Sequence, residues 1–278
     1  PLVVEDLKNA VRKLNSCYEL TDADLDFVVT SLRAIPTNIE GIRVFLDKFR
    51  NGFVVPLQKE GKERVLKIVD LQNIDNNDFA VTRQFKVEGL KATIRADIVL
   101  LVNGIPLVLI ECKSPTAETA DWTDAYRQIK RYEDEAPELF KYVQYSLATD
   151  SLKTRYFPNS FCEEGKDLLS TWKDPYPFKK EEFKDDLKVA IYGLLTKQHI
   201  LDFVENFIFI RKEMDKSTKI MTRYMQYRAT SRIFERVTKT LRKEQESKFG
   251  LIWHWQGSGK TYTMAFSAWK LFHLSLIH

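Results

Sequence analysis

The chain has 278 residues, 44% of them hydrophobic and 29% charged, which is typical of a soluble globular protein of one or two domains. No apolar run reaches the roughly 20 residues of a membrane-spanning helix, so no membrane association is expected. The formal net charge of +4 permits a nucleic-acid partner but equally fits an ordinary basic surface.

The three cysteines, Cys17, Cys112 and Cys162, lie far apart and form no C-x-x-C pair. An odd number at such spacing argues against a disulfide framework and against structural zinc. The N-terminus lacks the pattern of a secretory signal peptide. Reduced thiols and the lack of a signal peptide together predict a cytoplasmic protein.

The first half of the chain predicts helices followed by strands. Thr21 and Asp24 form a capping-box pattern at the start of one helix. Asn38 and Gly52 are placed to begin and end another. The predicted strands are Val54–Leu57, Val65–Val69, Phe79–Val87, Ile94–Val102 and Ile105–Lys113. The last two strands are almost continuously apolar, which indicates strands covered on both faces.

The second half alternates helices and strands and then changes character. A long polar loop is predicted between residues 159 and 184. The charged segment 208–219 predicts a connector, so we divide the chain into a domain of residues 1–210 and the beginning of a second domain in residues 211–278. The predicted helices are Asp121–Ala136, Lys184–Leu195, His199–Phe207 and Ile220–Lys243. The predicted strands are Tyr142–Ala148, Thr154–Phe157 and Phe249–His254.

Two acidic residues interrupt the two most apolar strands. Asp97 lies within the first, and Glu111 follows a run of four aliphatic residues in the second, with Lys113 two positions later on the same face. Burying two carboxylates in neighbouring strands is unfavourable unless a cation or a proton lies between them. Mg²⁺ meets this need, because it takes oxygen ligands and keeps several waters. We therefore predict a magnesium site formed by Asp97, Glu111 and the backbone carbonyl of Cys112.

Such a site is suited to hydrolysis of a phosphodiester bond. The metal polarises the phosphate and lowers the pKa of a bound water, and Lys113 stabilises the negative charge of the transition state. The alternative is that Asp97 merely ends a strand and that Glu111 and Lys113 lie on a solvated strand exit. Acids and a lysine at this spacing are common by chance.

The turn between these two strands decides whether the acids can meet. A two-residue turn at residues 103–104 with unbroken pairing would make Asp97 face away from Glu111, because a shift of one residue reverses every side chain. We therefore predict a three-residue loop with Gly104 in the left-handed region, forming a G1 bulge, or an equivalent bulge. The three-residue loop places Arg95 opposite Glu111 and Asp97 diagonal to it.

Gln128 and Tyr132 lie four residues apart on the helix predicted to follow, so they share a face. Each carries a group that can hydrogen bond to a nucleotide or a backbone phosphate near the acids. The alternative is a satisfied amide for Gln128 and core packing for Tyr132.

A glycine-rich segment, Gly257-Ser258-Gly259-Lys260-Thr261, follows the last predicted strand and opens a helix. This is the context of a phosphate-binding loop, in which backbone N–H groups at a helix N-terminus surround a phosphate. Lys260 would reach the β- and γ-phosphates of ATP, and Thr261 would hold Mg²⁺. His254 stands where the first glycine of this motif is usual, and the alternative is a glycine turn that caps a helix.

These motifs resemble the restriction (motor) subunit of type I restriction enzymes. Residues 95–97, 102–108 and 111–113, which include the string V-N-G-I-P-L-V, are similar to its nuclease core, and residues 128–132 are similar to the Q-x-x-x-Y motif of RecB-like nucleases. The segment around Lys260 is similar to its helicase motif I. Gln226 resembles the glutamine that reads adenine in superfamily-two helicases, with a solvated helix residue as the alternative.

The resemblance implies an α/β fold: a PD-(D/E)XK, RecB-like nuclease core with a mixed sheet flanked by helices, followed by the beginning of a RecA-like helicase domain. It implies Asp97, Glu111 and Lys113 as catalytic residues, and Mg²⁺ and ATP as cofactors. Implied partners are double-stranded DNA and the methyltransferase (M) and specificity (S) subunits, in the cytoplasm of a bacterium or archaeon. Since no Walker B acid follows Lys260, we expect this stretch alone to bind nucleotide weakly and not to hydrolyse ATP well.

Two other functions stay open on the sequence. One is a stand-alone nuclease–helicase of DNA repair or defence, against which the V-N-G-x-P-L-V string argues. The other is a module that holds DNA with an inactive nuclease fold, which the presence of Asp97, Glu111 and Lys113 disfavours. Mg²⁺-dependent cleavage of DNA would distinguish these functions.

Overall fold

The computed structural model describes residues 1–114, 121–183, 185–214, 216–244 and 249–273. The chain opens with three helices: α1 (Val4–Leu14), α2 (Asp22–Arg33) and α3 (Ile39–Asn51). Thr21 and Asp24 make both hydrogen bonds of the predicted capping box at the start of α2. Asn38 caps α3, and Gly52 ends it with a φ of +82°. The predicted helix boundaries in this region are therefore confirmed.

The centre of the fold is a five-stranded mixed sheet. A separate hairpin of β1 (Phe53–Leu57) and β2 (Lys62–Leu66) precedes it. The sheet strands are β3 (Phe79–Glu88), β4 (Thr93–Val102), β5 (Ile105–Cys112), β6 (Tyr145–Thr149) and β7 (Thr154–Pro158), and they lie side by side in this order. Only β5 and β6 pair in parallel. A parallel pair needs a crossover, which α4 (Trp122–Glu135) and α5 (Pro137–Phe140) provide. The predicted mixed α/β architecture is confirmed.

Apolar side chains cover both faces of the sheet. On one face, Val99 belongs to a core with Ile129 of α4. On the other face, Leu100 and Val108 belong to a larger core with α1, α2 and α3. Every residue of β5 except Cys112 is buried, as predicted for a strand covered on both sides.

The rest of the chain packs around this sheet. Between β7 and α6 (Asp186–Leu194), the described residues form one 3₁₀ turn and no α-helix, which agrees with the predicted long loop. The following elements are α7 (Lys197–Asp202), a π-helical turn (Phe203–Phe207), β8 (Ile208–Glu213), β9 (Lys216–Met221), α8 (Tyr224–Leu241) and α9 (Lys260–His273). Of the helices described, none has the length and apolar character needed to cross a membrane.

Two predictions for this half are wrong. The charged segment is not a connector, since its residues 208–213 and 216–219 pair in the antiparallel hairpin of β8 and β9. The division of the chain after residue 210 stays a prediction, and it would fall inside β8. A strand is recognised in a sequence by its buried apolar positions. In this hairpin a charged residue, Lys219, is fully buried, so the sequence did not show the strand pattern. Residues 249–254 form no strand. Among the described residues, no strand lies alongside them to complete their backbone hydrogen bonds.

The turn between β4 and β5 is anchored from outside the hairpin. Asn103 and Gly104 both have positive φ, +51° and +73°, as in a type I′ turn. The side chain of Asn103 is fully buried. Its Nδ2 donates to the carbonyl of Ile68 and to Asn77 Oδ1, both at 2.9 Å, and its Oδ1 accepts from the amide of Asp78 at 2.8 Å. The turn between the two strands that carry the acidic residues is therefore fixed by the loop before β3.

We expect Asn103→Ala to lower the free energy of unfolding by about 3 kcal/mol, because three buried partners lose their hydrogen bonds and alanine tolerates positive φ poorly. Asn103→Gly removes the same bonds but accepts this φ, so its loss should be smaller by roughly 1 kcal/mol. Urea unfolding measures both values. A parent-like stability of Asn103→Ala would contradict the anchoring.

Candidate active site

A bulge inside β5 sets the register of the hairpin. Leu101 lies opposite Pro106, whereas Leu100 lies opposite Val108, so Leu107 is the extra residue. The predicted bulge is thus present, but the turn has two residues, and the predicted three-residue loop with a G1 bulge is wrong. The sequence could not locate the bulge, because β5 is apolar throughout this stretch and its pattern looks the same in either register.

The two predicted acids lie where β4 and β5 stop pairing. The last paired positions before the strands separate are Ile98 and Ile110, and the same register continued by one residue places Asp97 opposite Glu111. The prediction that Arg95 lies opposite Glu111 is therefore wrong. Directly opposite residues are closer than the predicted diagonal neighbours.

Each acid accepts a hydrogen bond from the backbone of the other strand. The amide of Asp97 donates to Glu111 Oε1 at 3.0 Å. The amide of Cys112 donates to Asp97 Oδ2 at 3.0 Å. Side-chain oxygens thus replace the carbonyl acceptors of a regular ladder, and both carboxylates are held in the gap between the strands.

Glu111 is a buried acid with a free oxygen. Its side chain is 0% exposed, and its Oε2 has no hydrogen-bond partner among the described residues. Burial raises the pKa of Glu111 to about 8. The hydrogen bond from the Asp97 amide opposes this increase, and the carboxylate of Asp97 adds to it. A second carboxylate beside a buried acid favours a bound cation or proton.

The donor set for a cation is small. In the part of the chain that the structure describes, no three side chains of His, Cys, Asp or Glu are grouped as metal ligands. A cation here would therefore take the oxygens of Asp97 and Glu111 and complete its shell with carbonyl oxygens or waters. Mg²⁺ is the common biological cation that binds through one or two carboxylates and keeps its waters.

The third predicted catalytic residue, Lys113, is linked to α4 by a chain of hydrogen bonds. Its Nζ donates to Gln128 Oε1. Gln128 Nε2 donates to Tyr132 Oη at 2.6 Å, and Tyr132 Oη donates to the carbonyl of Arg95 at 2.9 Å. Gln128 and Tyr132 therefore orient Lys113 and tie it to β4, two residues before Asp97. Tyr132 also belongs to the core under α4, as its alternative interpretation predicted.

One contact involves a residue that the sequence did not single out. Gln84 of β3 donates from Nε2 to Asp97 Oδ1 at 2.9 Å. A glutamine in a polar strand carries no signal of such a role. The contact depends on β3 lying beside β4, which only the sheet order reveals.

The glycine-rich segment forms a turn that leads directly into α9, which starts at Lys260. Gly257 and Gly259 have φ values of +78° and +80°, a region that favours glycine. Lys260 and Thr261 are exposed, whereas Ser258 is buried. The turn therefore presents its basic residue and its hydroxyl to solvent at a helix N-terminus.

Gln226 lies against this turn. Its Nε2 donates to the carbonyl of Ser258 at 3.1 Å, and its Oε1 accepts from the amide of Arg223 at 2.9 Å. A Cβ at position 259 would lie 2.3 Å from Gln226 Nε2 and would displace that side chain, and the φ of +80° also favours glycine there. Gln226 is only 4% exposed, and the alternative of a solvated helix residue is wrong.

We expect Glu111→Gln to stabilise the protein at high pH when a chelator is present. The unfolded chain titrates this acid near 4.5, whereas the folded protein keeps the proton up to about pH 8. The folded state binds more protons between these values, so the stability of the parent falls as pH rises through this range. The variant keeps the shape of the side chain but lacks this fall.

Urea unfolding with EDTA at about pH 5 and about pH 9 measures the effect. The matched control is Glu63→Gln, which neutralises an exposed glutamate of β2 and should leave the pH dependence unchanged. The same loss of stability with pH in Glu111→Gln as in the parent would show that Glu111 is not a strained buried charge.

Comparison with known proteins identifies the family. Residues 2–161 match the family model described as type I restriction enzyme R protein N terminus, and residues 225–276 match the model of the SWI2/SNF2 ATPase. The first match covers more than half of the chain. Its end lies just beyond β7, and the second match includes Gln226 and the glycine-rich segment.

Curated relatives agree with this family. The "Putative type I restriction enzyme MjaVIIIP endonuclease subunit" of Methanocaldococcus jannaschii is 39% identical over 232 residues, which cover 82% of this chain and 22% of the relative. The type I restriction enzyme HindI endonuclease subunit of Haemophilus influenzae is 32% identical over 279 residues, with 96% of this chain and 26% of the relative covered. The chain thus spans about a quarter of the length of these relatives. It belongs to the family of the type I restriction enzyme R protein N terminus.

Proposed function

We propose that this chain carries the metal-dependent endonuclease domain of the R subunit, which cleaves double-stranded DNA by phosphodiester hydrolysis. Family membership supports a restriction endonuclease. The observation that carries the proposal is the pair of carboxylates, Asp97 and Glu111, held in the gap between β4 and β5. Lys113 directly follows β5, and this arrangement supports a core of the PD-(D/E)XK, RecB-like type.

Asp97 and Glu111 would hold Mg²⁺ through their side chains, and Cys112 would add its backbone carbonyl. The unpartnered Glu111 Oε2 fits this assignment, because a buried carboxylate oxygen without a donor is costly unless a cation satisfies it. When bound, the metal supplies Lewis acidity and a water of lowered pKa. The hydrogen bonds from the amides of Asp97 and Cys112 orient the carboxylates beforehand.

Lys113 provides positive charge to the scissile phosphate. Gln128 accepts a hydrogen bond from its Nζ, and Tyr132 holds Gln128 in turn. An ammonium group whose position is fixed in advance stabilises developing negative charge without reorganisation. Gln128 and Tyr132 therefore act through Lys113, and in this structure they contribute orientation rather than charge.

The second part of the proposal concerns ATP and partners. Residues 211–278 would begin a superfamily-two motor, which the match to the SWI2/SNF2 ATPase supports. Lys260 and Thr261, with Gly257, Ser258 and Gly259, would bind the phosphates and Mg²⁺, and Gln226 would contact the nucleotide base. In the complete enzyme, which would be cytoplasmic, this motor would translocate DNA. The M and S subunits would supply sequence recognition, so contacts of this chain to DNA would be to phosphates and sensitive to salt.

We expect Lys113→Ala to slow Mg²⁺-dependent cleavage strongly when the R subunit is assembled with its M and S partners. Removal of one preorganised charge stabiliser lowers the rate by a factor on the order of 10² to 10³. The measurement is the rate of plasmid cleavage with Mg²⁺ and ATP, and ATP hydrolysis in the same assay reports an intact motor. Lys62→Ala, which removes an exposed lysine of β2, is the matched control. Cleavage by Lys113→Ala at the parent rate would contradict the nuclease assignment.

Nucleotide binding tests the phosphate-binding turn separately. We expect this chain to bind a fluorescent ATP analogue, and Lys260→Ala to weaken that binding by about 10-fold or more, since a charge-assisted hydrogen bond is lost. Lys188→Ala, on the exposed side of α6, should bind as the parent does. Unchanged affinity in Lys260→Ala would remove this segment from the proposal.

A further inference from the structure

The pairing of β3 with β4 is interrupted at Gln84, beside the acidic pair of the site. The strands pair at a constant offset, with Arg83 opposite Ile98 and Phe85 opposite Ala96. Gln84 lies between these pairs and has no paired residue. Its φ is +54°, which costs a residue with a side chain roughly 1–2 kcal/mol. Strain of this kind in a regular strand is commonly kept for a functional reason.

Both strands change faces at this position. In β3, Phe79 belongs to the core with α1, α2 and α3, whereas Phe85 belongs to the core with α4. In β4, Ala96 belongs to the core with α4, whereas Ile98 belongs to the other core. The two members of each pair are an even number of positions apart in the sequence, so a regular strand would keep both on one face of the sheet. The change falls at the position of Asp97 in β4.

Gln84 completes the hydrogen bonding of Asp97. Its Nε2 donates to Oδ1 at 2.9 Å, while the amide of Cys112 donates to Oδ2 at 3.0 Å. Each carboxylate oxygen thus has one donor and keeps a further lone pair. The two donors lie on opposite neighbouring strands, β3 and β5, so they fix the orientation of the carboxylate from both sides.

The donor is an amide rather than a cation. An arginine or lysine at position 84 would form an ion pair with Asp97 and compete with a metal for its charge. A neutral amide orients the carboxylate and leaves its full charge available. Among the residues that the structure describes, no basic side chain forms an ion pair with Asp97 or Glu111.

We propose that Gln84 is a positioning residue, which holds the carboxylate of Asp97 in the orientation that binds a divalent cation. The inference rests on the proposed function, since it assigns Asp97 to that cation. It adds a third strand, β3, to a site otherwise built from β4, β5 and α4. The strained backbone of Gln84 is then the means by which an edge strand reaches the acid.

Two variants separate this role from a structural one. Gln84→Gly removes the amide but relieves the backbone strain, so it should unfold at the same or higher urea concentration than the parent. Gln84→Met keeps the length of the side chain without a donor. Both are expected to bind Mn²⁺ on the order of 10-fold more weakly than the parent, as is typical when a group that orients a metal ligand is lost. Mn²⁺ binding to this chain is followed by the electron paramagnetic resonance signal of the free ion.

A second measurement needs no metal. The amide of Cys112 is protected by its hydrogen bond to Asp97, and hydrogen exchange in the presence of EDTA reports how firmly Asp97 is held. This exchange should be several-fold faster in Gln84→Gly than in the parent. Val81→Gly removes an exposed side chain from the same strand without contacting Asp97, and it should change neither measurement.

The outcomes distinguish this inference from the function on which it rests. Parent-like Mn²⁺ affinity and parent-like exchange at Cys112 in Gln84→Gly would overturn the role of Gln84 and leave the nuclease proposal standing. Equal losses in Val81→Gly would also overturn it. If the parent binds no Mn²⁺, or if Glu111→Gln binds it as tightly, the metal site itself fails, and exchange at Cys112 alone then decides whether Gln84 positions Asp97.

Discussion

The site depends on two hydrogen bonds between β4 and β5. The side chain of Glu111 accepts one from a backbone amide of β4, and the side chain of Asp97 accepts the other from a backbone amide of β5. Both bonds exist only because β4 and β5 separate at this point in a register that brings the acids opposite each other. The extra residue in β5, Leu107, sets that register. The turn before it is held by the buried side chain of Asn103, so the loop preceding β3 contributes to the position of both acids.

Helix α4 supplies the other half of the site. Because β5 and β6 are parallel, the chain must cross the sheet between them, and the crossover places α4 over the end of β5. Gln128 and Tyr132 then meet Lys113 from the helix side and reach the carbonyl of Arg95 in β4. Hydrogen bonds thus link Lys113 through α4 to β4, and the chain of contacts ends two residues before Asp97.

The sequence was sufficient wherever a local pattern determined the outcome. The capping box of α2, the apolar strands β4 and β5, and the face shared by Gln128 and Tyr132 all follow from residue spacing. It was insufficient where the outcome depends on neighbours in space. A one-residue bulge in a uniformly apolar strand leaves no trace in the pattern, the contact of Gln84 requires the sheet order, and the hairpin of β8 and β9 is concealed by charged residues such as Lys219 that tertiary packing nevertheless buries.

The hydrogen bonds that Asp97 and Glu111 accept also give these acids a part in the fold. Replacing either by alanine leaves a backbone amide of the opposite strand without its acceptor, a loss of the kind that destabilises proteins by about 1–3 kcal/mol. Asparagine or glutamine keeps an acceptor oxygen in place. A descendant that had lost the proposed nuclease activity would therefore still be under selection to keep both side chains, since they meet a folding requirement that is separate from the proposed chemistry.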